Sequence, residues 1–106
     1  MPRSPINRSS SKPRGLKLVK VVRSPVREKK YTAIFSDGTT THFGAAGMSD
    51  YTKHKDPKRK QRYINRHKKR ENWNDPRTAG ALSRYVLWGE PTLRESIRSY
   101  KRRFNL

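Results

Sequence analysis

The positive charge of this chain falls in two blocks with an uncharged-to-acidic stretch between them, and that partition limits where a core can form. Residues 1–30 hold ten Lys and Arg against one acid, residues 31–50 hold no Lys or Arg and two acids, and residues 51–74 hold ten again against two acids. Residues 75–106 add seven against three. A net charge of +19 on 106 residues makes the molecule repel itself and attracts it to a polyanion. Only 30% of the residues are apolar, against about 45–50% in an ordinary globular chain. The core must therefore be small. Ordering costs about 1.5 kcal/mol per residue, which nearly cancels what a small core returns, so a binding partner is expected to complete the stability.

With no cysteine there is no disulfide, no thiolate metal ligand and no Cys nucleophile. No apolar run approaches the ~20 residues of a membrane span, and the start MPRSPINRSSSKPRG lacks the apolar stretch of a signal peptide. The expected setting is the cytosol, the nucleus or a particle assembled there.

Residues 1–15 hold three prolines, four serines and four basic residues, which reads as an extended basic arm with no core of its own. A small α+β domain is expected over 16–106. Its first strand, 16–22, has Leu16, Leu18 and Val21 off a strict period of two, but the β-branched residues favour extension. Ser24-Pro25 interrupts it, since proline has no amide to donate. A second strand, 30–35, sets Tyr31, Ala33 and Phe35 on one face. Asp37-Gly38 turns the chain into a third strand, 39–43.

Beyond Gly44-Ala45-Ala46-Gly47, read as a turn, the pattern becomes helical. Asp56-Pro57 and Asp75-Pro76 both look like an N-cap followed by a first-turn proline, predicting helices over 57–72 and 76–88, the latter stopped by Gly89. Thr92 to Glu95 forms a capping box for a helix over 93–104, where Leu93, Ile97, Tyr100 and Phe104 make one apolar stripe. A short antiparallel sheet, a hairpin plus one strand, should pack on about three helices. The expected core is Tyr31, Ala33, Phe35, Phe43, Leu82, Tyr85, Val86, Trp88, Leu93, Ile97, Tyr100 and Phe104.

The helix at 57–72 is unusual. Its large apolar residues are Tyr63 and Ile64 alone, while Lys58 with Arg62, Arg62 with Arg66 and Arg66 with Arg70 set like charges at i, i+4, each pair costing a few tenths of a kcal/mol in an isolated helix. Phosphates, or carboxylates of another protein, would relieve them. The candidate contact residues are Lys58, Arg59, Lys60, Arg62, Arg66, Lys68, Lys69 and Arg70, with Arg3, Arg8, Lys12 and Arg14 on the arm, and Tyr63 and Trp73 as aromatic neighbours able to stack. A merely solvated basic face is the plainer reading, which two uncompensated blocks weaken. Arg-Ser-Pro at Ser4 and at Ser24 suits proline-directed phosphorylation, but the motif is short and an extended linker is the better reading of it.

His42, His54 and His67 share no metal-binding interval, so no zinc site is expected. Most acids serve caps and turns, and Glu71 and Glu90 lack an evident companion, so neither catalysis nor a cofactor or small-molecule substrate is expected.

The elements HFGAAG, SDYTKHKD, RYINRHKKREN, DPRTAGALSRY and YKRRFNL, spread over residues 31–106, together resemble small basic proteins encoded by large nucleocytoplasmic DNA viruses of algae and protists. The resemblance implies a viral origin and supplies no catalytic residues. Two roles would suit it. One is a virion structural protein: a minor capsid protein inside or within the shell, bridging acidic surfaces of major and other minor capsid proteins through the arm and the basic helix. The alternative is a sequence-independent DNA-binding protein that neutralises the viral genome. The capsid role is the primary expectation.

Overall fold

In the computed structural model, which describes residues 15–106, a three-stranded antiparallel sheet packs against short helices, an α+β fold. The basic arm, with Ser4, Arg3, Arg8, Lys12 and Arg14, lies outside the described residues but for Gly15. The strands are β1 (Leu18–Arg23), β2 (Lys29–Phe35) and β3 (Thr40–Ala45), in spatial order β1-β2-β3. The helices are α1 (Tyr51–His54), α2 (Pro57–His67), α3 (Ala79–Leu82), continued by a π-helical turn at Ser83–Leu87, and α4 (Leu93–Phe104).

The irregular apolar period of β1 has a physical cause. Leu18 faces Phe35 while Lys20 faces Ile34, so the register slips between them. The extra residue, Val19, is pushed out to 58% exposure. This bulge resets the alternation, so that Leu18 before it and Val21 after it both face inward. At the other end of β2, Gly38 has φ +89°, and Asp37 Oδ1 accepts from Thr39 N at 3.0 Å, an Asx-type turn. The predicted hairpin is there, with a longer loop than a two-residue turn. Gly44 and Ala45 belong to β3, and the turn follows them at Gly47, φ +85°.

The expected helix over 76–88 does not begin at its proline. Pro76 O accepts from the Tyr100 hydroxyl at 2.5 Å, and Arg77 O accepts from Thr41 Oγ1 at 2.7 Å. Both carbonyls are thus held by tertiary donors instead of opening a helical ladder. Thr78 becomes the N-cap, its hydroxyl accepting from Ala81 N at 3.1 Å, and the helix starts at Ala79. Gly89 is a glycine for another reason than a left-handed stop: a Cβ there would stand 2.2 Å from Tyr85 O.

The core joins Ala33, Phe35 and Phe43 of the sheet to Leu82, Val86, Leu87 and Tyr100. Of the expected members, Tyr31, Tyr85, Trp88, Leu93, Ile97 and Phe104 pack at its border, half-buried. Leu16, Leu18, Ala81 and Leu106 are buried additions. Leu106 is drawn in by the end of α4. Asn105 takes the left-handed conformation at φ +56° and Leu106 N reaches back to Lys101 O at 2.8 Å, a Schellman-type stop that places an apolar residue against the helix. At the opposite end, Thr92 Oγ1 accepts from Glu95 N at 3.1 Å, as the capping box predicts.

Candidate polyanion interface

Asp56 starts α2 by accepting from Lys58 N at 2.9 Å, with Pro57 in the first helical position. The helix buries one residue, Tyr63, and ends at His67, short of the expected residue 72. There Glu71 turns back to accept from His67 Nδ1 at 2.7 Å and from Trp73 Nε1 at 2.8 Å, which draws the chain out of the helical path. Lys68, Lys69 and Arg70 therefore sit in the turn that follows α2.

Lys58, Arg59, Arg62 and Arg66 on α2, with Lys68, Lys69 and Arg70 beyond it, are all exposed. Cations four residues apart on the helix stand about 6 Å apart along its axis. The ion pairs formed among the described residues are Lys30 with Asp50, His67 with Glu71 and Arg77 with Asp37; none uses a Lys or Arg of this run. Lys60 departs from the expected contact set. Its ammonium donates to Gly89 O at 2.6 Å and lies 5.0 Å from the centre of the Tyr51 ring, and burial, with Arg84 next in effect, lowers its pKa. It fastens α2 to the fold and is not presented to a ligand.

The aromatic residues expected to stack on a ligand are also committed inward. Tyr63 is 7% exposed and lies parallel to Trp88, centroids 4.4 Å apart at 3°, with His67 stacked at 4.3 Å. Burial raises the Tyr63 hydroxyl pKa well above its ordinary value. Trp73 is half-buried, edge-on to Tyr85 and covered by the Arg84 guanidinium at 5.5 Å. An apolar pair on an otherwise polar helix signals the narrow edge that must be buried, so Tyr63 was readable as packing.

Two clefts share Lys29 and Lys30, of which only the first also takes residues of α2, and the sequence pointed to neither. One, of about 380 Å³, opens between the end of the sheet and α2 and has Lys29, Lys30, Arg66 and His67 in its wall. Its two acids are already engaged: Asp50 pairs with Lys30 at 2.5 Å and Glu71 with His67. The second, of about 360 Å³, shares Lys29 and Lys30 and adds Arg23, Arg27 and Lys53. The shared lysines make the two clefts neighbours. Arg23, Arg27, Lys29 and Lys30 come from one short run of the first basic block, and the fold of α1 and α2 brings Lys53 and Arg66 to them.

The three histidines are dispersed. His42 Nδ1 lies 2.7 Å from Thr32 Oγ1 and 3.1 Å from Ser24 Oγ, His54 belongs to α1, and His67 pairs with Glu71. Glu90 N and O both bond the buried Ser96 hydroxyl, a structural use of its backbone. No helix among the described residues is long and apolar enough to cross a membrane.

A family model matches residues 19–67. It describes a family of unknown function (DUF5754). The matched stretch begins in β1 and ends with the last residue of α2, so it includes Arg23, Arg27, Lys29, Lys30, Lys53 and the α2 cations, and leaves α3 and α4 outside. No curated protein and no solved structure matches the chain.

Proposed function

We propose that this protein binds double-stranded nucleic acid through its phosphates, independently of sequence, using the exposed cations of α2 and the turn beyond it. One observation supports this over an acidic protein partner: the face is strongly cationic, unpaired by carboxylates among the described residues, and free of exposed large apolar side chains. Among the described residues the large apolar side chains left exposed are Val19, Val22 and Met48, none of them on α2. Protein–protein interfaces centre on an apolar core depleted of charge, whereas protein–DNA interfaces are polar and much more positive. The inward commitment of Tyr63 and Trp73 favours duplex over single strands, because stacking of splayed bases needs exposed rings.

The test is fluorescence anisotropy with a short duplex and a single strand of equal length across a salt series. Expected are a steep loss of affinity with salt, tighter binding of duplex, and a loss of about tenfold or more on changing Arg62, Arg66 and Lys69 to Glu. Unchanged duplex affinity in that triple variant would end the proposal.

The capsid role keeps one observation of its own. Val19 and Val22 are exposed on β1, an edge strand that the basic arm leads into, and an edge strand with apolar residues suits pairing with another chain. Its test is to strip purified virions stepwise and digest the genome with nuclease. Retention with the shell supports a minor capsid protein in contact with capsid proteins, and release with the digested genome assigns the charge to viral DNA.

A further inference from the structure

The cleft at the end of the sheet differs in kind from the α2 face. It is a concavity where five segments meet: the end of β1, the 24–28 loop, the start of β2, the turn after β3, and α1. Arg23, Arg27, Lys29 and Lys53 line it and are all exposed; none of them takes part in an ion pair among the described residues. The fifth cation, Lys30, is already neutralised by Asp50. Among the described residues no carboxylate lines the cleft, and Glu28, the acid of the loop, is not in its wall. Four open cations thus surround a volume of about 360 Å³, within the roughly 300–1,000 Å³ of small-ligand sites.

The wall charge sets the ligand's charge. A phosphate monoester brings about −1.5 to −2, roughly half of what the four cations balance, whereas a chain of two or three phosphates matches them. The two arginines add forked donors suited to phosphate oxygens, and the lysines add point charges. Gly47, with φ +85°, holds the turn that closes one side, and nothing lies within 4 Å of where its Cβ would be, so its backbone borders open space.

We propose that this cleft is a binding site for a diphosphate or triphosphate group, separate from the duplex-binding face of α2. The group has two sources, a free nucleotide and the 5′ end of a nucleic acid strand, which share this chemistry.

The test is calorimetric titration of the full chain with tripolyphosphate at about physiological salt, followed by ATP and by oligonucleotides of one sequence ending in 5′-triphosphate or 5′-hydroxyl. Expected is a saturable one-to-one event, weakened at least tenfold by Arg23→Gln with Arg27→Gln and, independently, weakened by Lys53→Gln on α1. The triple change of Arg62, Arg66 and Lys69 to Glu should leave it within about twofold while lowering duplex affinity, so the two sites fail separately. Tight binding of ATP supports the free nucleotide as source, and a gain confined to the 5′-triphosphate oligonucleotide supports the strand end. The proposal is overturned by the absence of saturable tripolyphosphate binding, by wild-type affinity in both cleft variants, or by equal losses in cleft and α2 variants, which would mean diffuse charge attraction only.

Discussion

His54 shows how one side chain in this basic molecule is kept neutral. Its Nδ1 accepts from Asp56 N at 3.0 Å, so the proton of the neutral ring sits on Nε2, which is buried without a hydrogen-bond partner near the Trp88 ring, centroids 5.2 Å apart. Burial first, and then the charge of Arg59, lower its pKa below the ordinary value. Protonation would also turn Nδ1 from acceptor into donor, facing the Asp56 amide it now serves. A folded pKa below the unfolded one means the contribution to stability is complete above about pH 6.5 and fades as the pH falls below it. The melting temperature should therefore drop between pH 7.5 and 5.5. In His54→Asn, whose Oδ1 can take the place of Nδ1, the drop should be smaller; an equal drop in both proteins would assign it elsewhere. A second residue-scale expectation concerns Tyr100, which is wholly buried and holds Pro76 O. Tyr100→Phe leaves that carbonyl without its donor and should cost about 1–3 kcal/mol in denaturant titration.

At the scale of elements, the hairpin β2–β3, the N-cap of α2 and the capping box of α4 were legible, because each is written in residues adjacent in sequence. The start of α3 was not. Asp75-Pro76 has the local grammar of a helix start, but Thr41 and Tyr100, distant in sequence, take the carbonyls that a helix beginning there would use. Gly89 was legible as a glycine requirement and misread as to cause, since a close backbone approach leaves no mark on neighbouring residues. It follows that Gly89→Ala destabilises even though the position lies outside the left-handed region. With Tyr85 O only 2.2 Å from the added carbon, the π-helical turn must shift, at a cost of about 1–3 kcal/mol. Denaturation midpoints of Gly89→Ala and of Gly80→Ala, where the nearest atom is a side-chain oxygen of Glu71 at 3.0 Å, should differ clearly; equal effects would rule out the backbone clash as the cause. The candidate site divides in the same way. The α2 stripe was readable from one run of sequence; of the cleft cations, Arg23, Arg27 and Lys29 also share one short run, but nothing in that run says that it closes a cleft with Lys53 of α1.

For the whole molecule, the balance lies between a small core and a net charge of +19. Self-repulsion of that size opposes compaction, and among the described residues the seven cations on α2 and the turn after it have no carboxylate within ion-pair distance to offset it. Anything that screens or binds these charges in the folded state must stabilise the fold. Monovalent salt acts by screening, because the Debye length shortens from about 30 Å at 0.01 M to about 8 Å at 0.15 M, so the melting temperature should rise over that range. A duplex bound to the folded state adds a further increment that grows with free ligand, reaching about 2.7 kcal/mol at a hundredfold excess over Kd. The two effects are antagonistic, since salt that relieves repulsion also weakens phosphate binding. The stabilisation by duplex should consequently be largest at low salt and shrink as salt is raised, while the protein alone gains stability. Melting curves of the full chain, with and without duplex across the same salt series, should therefore converge; parallel curves would show that the duplex contributes through something other than these charges.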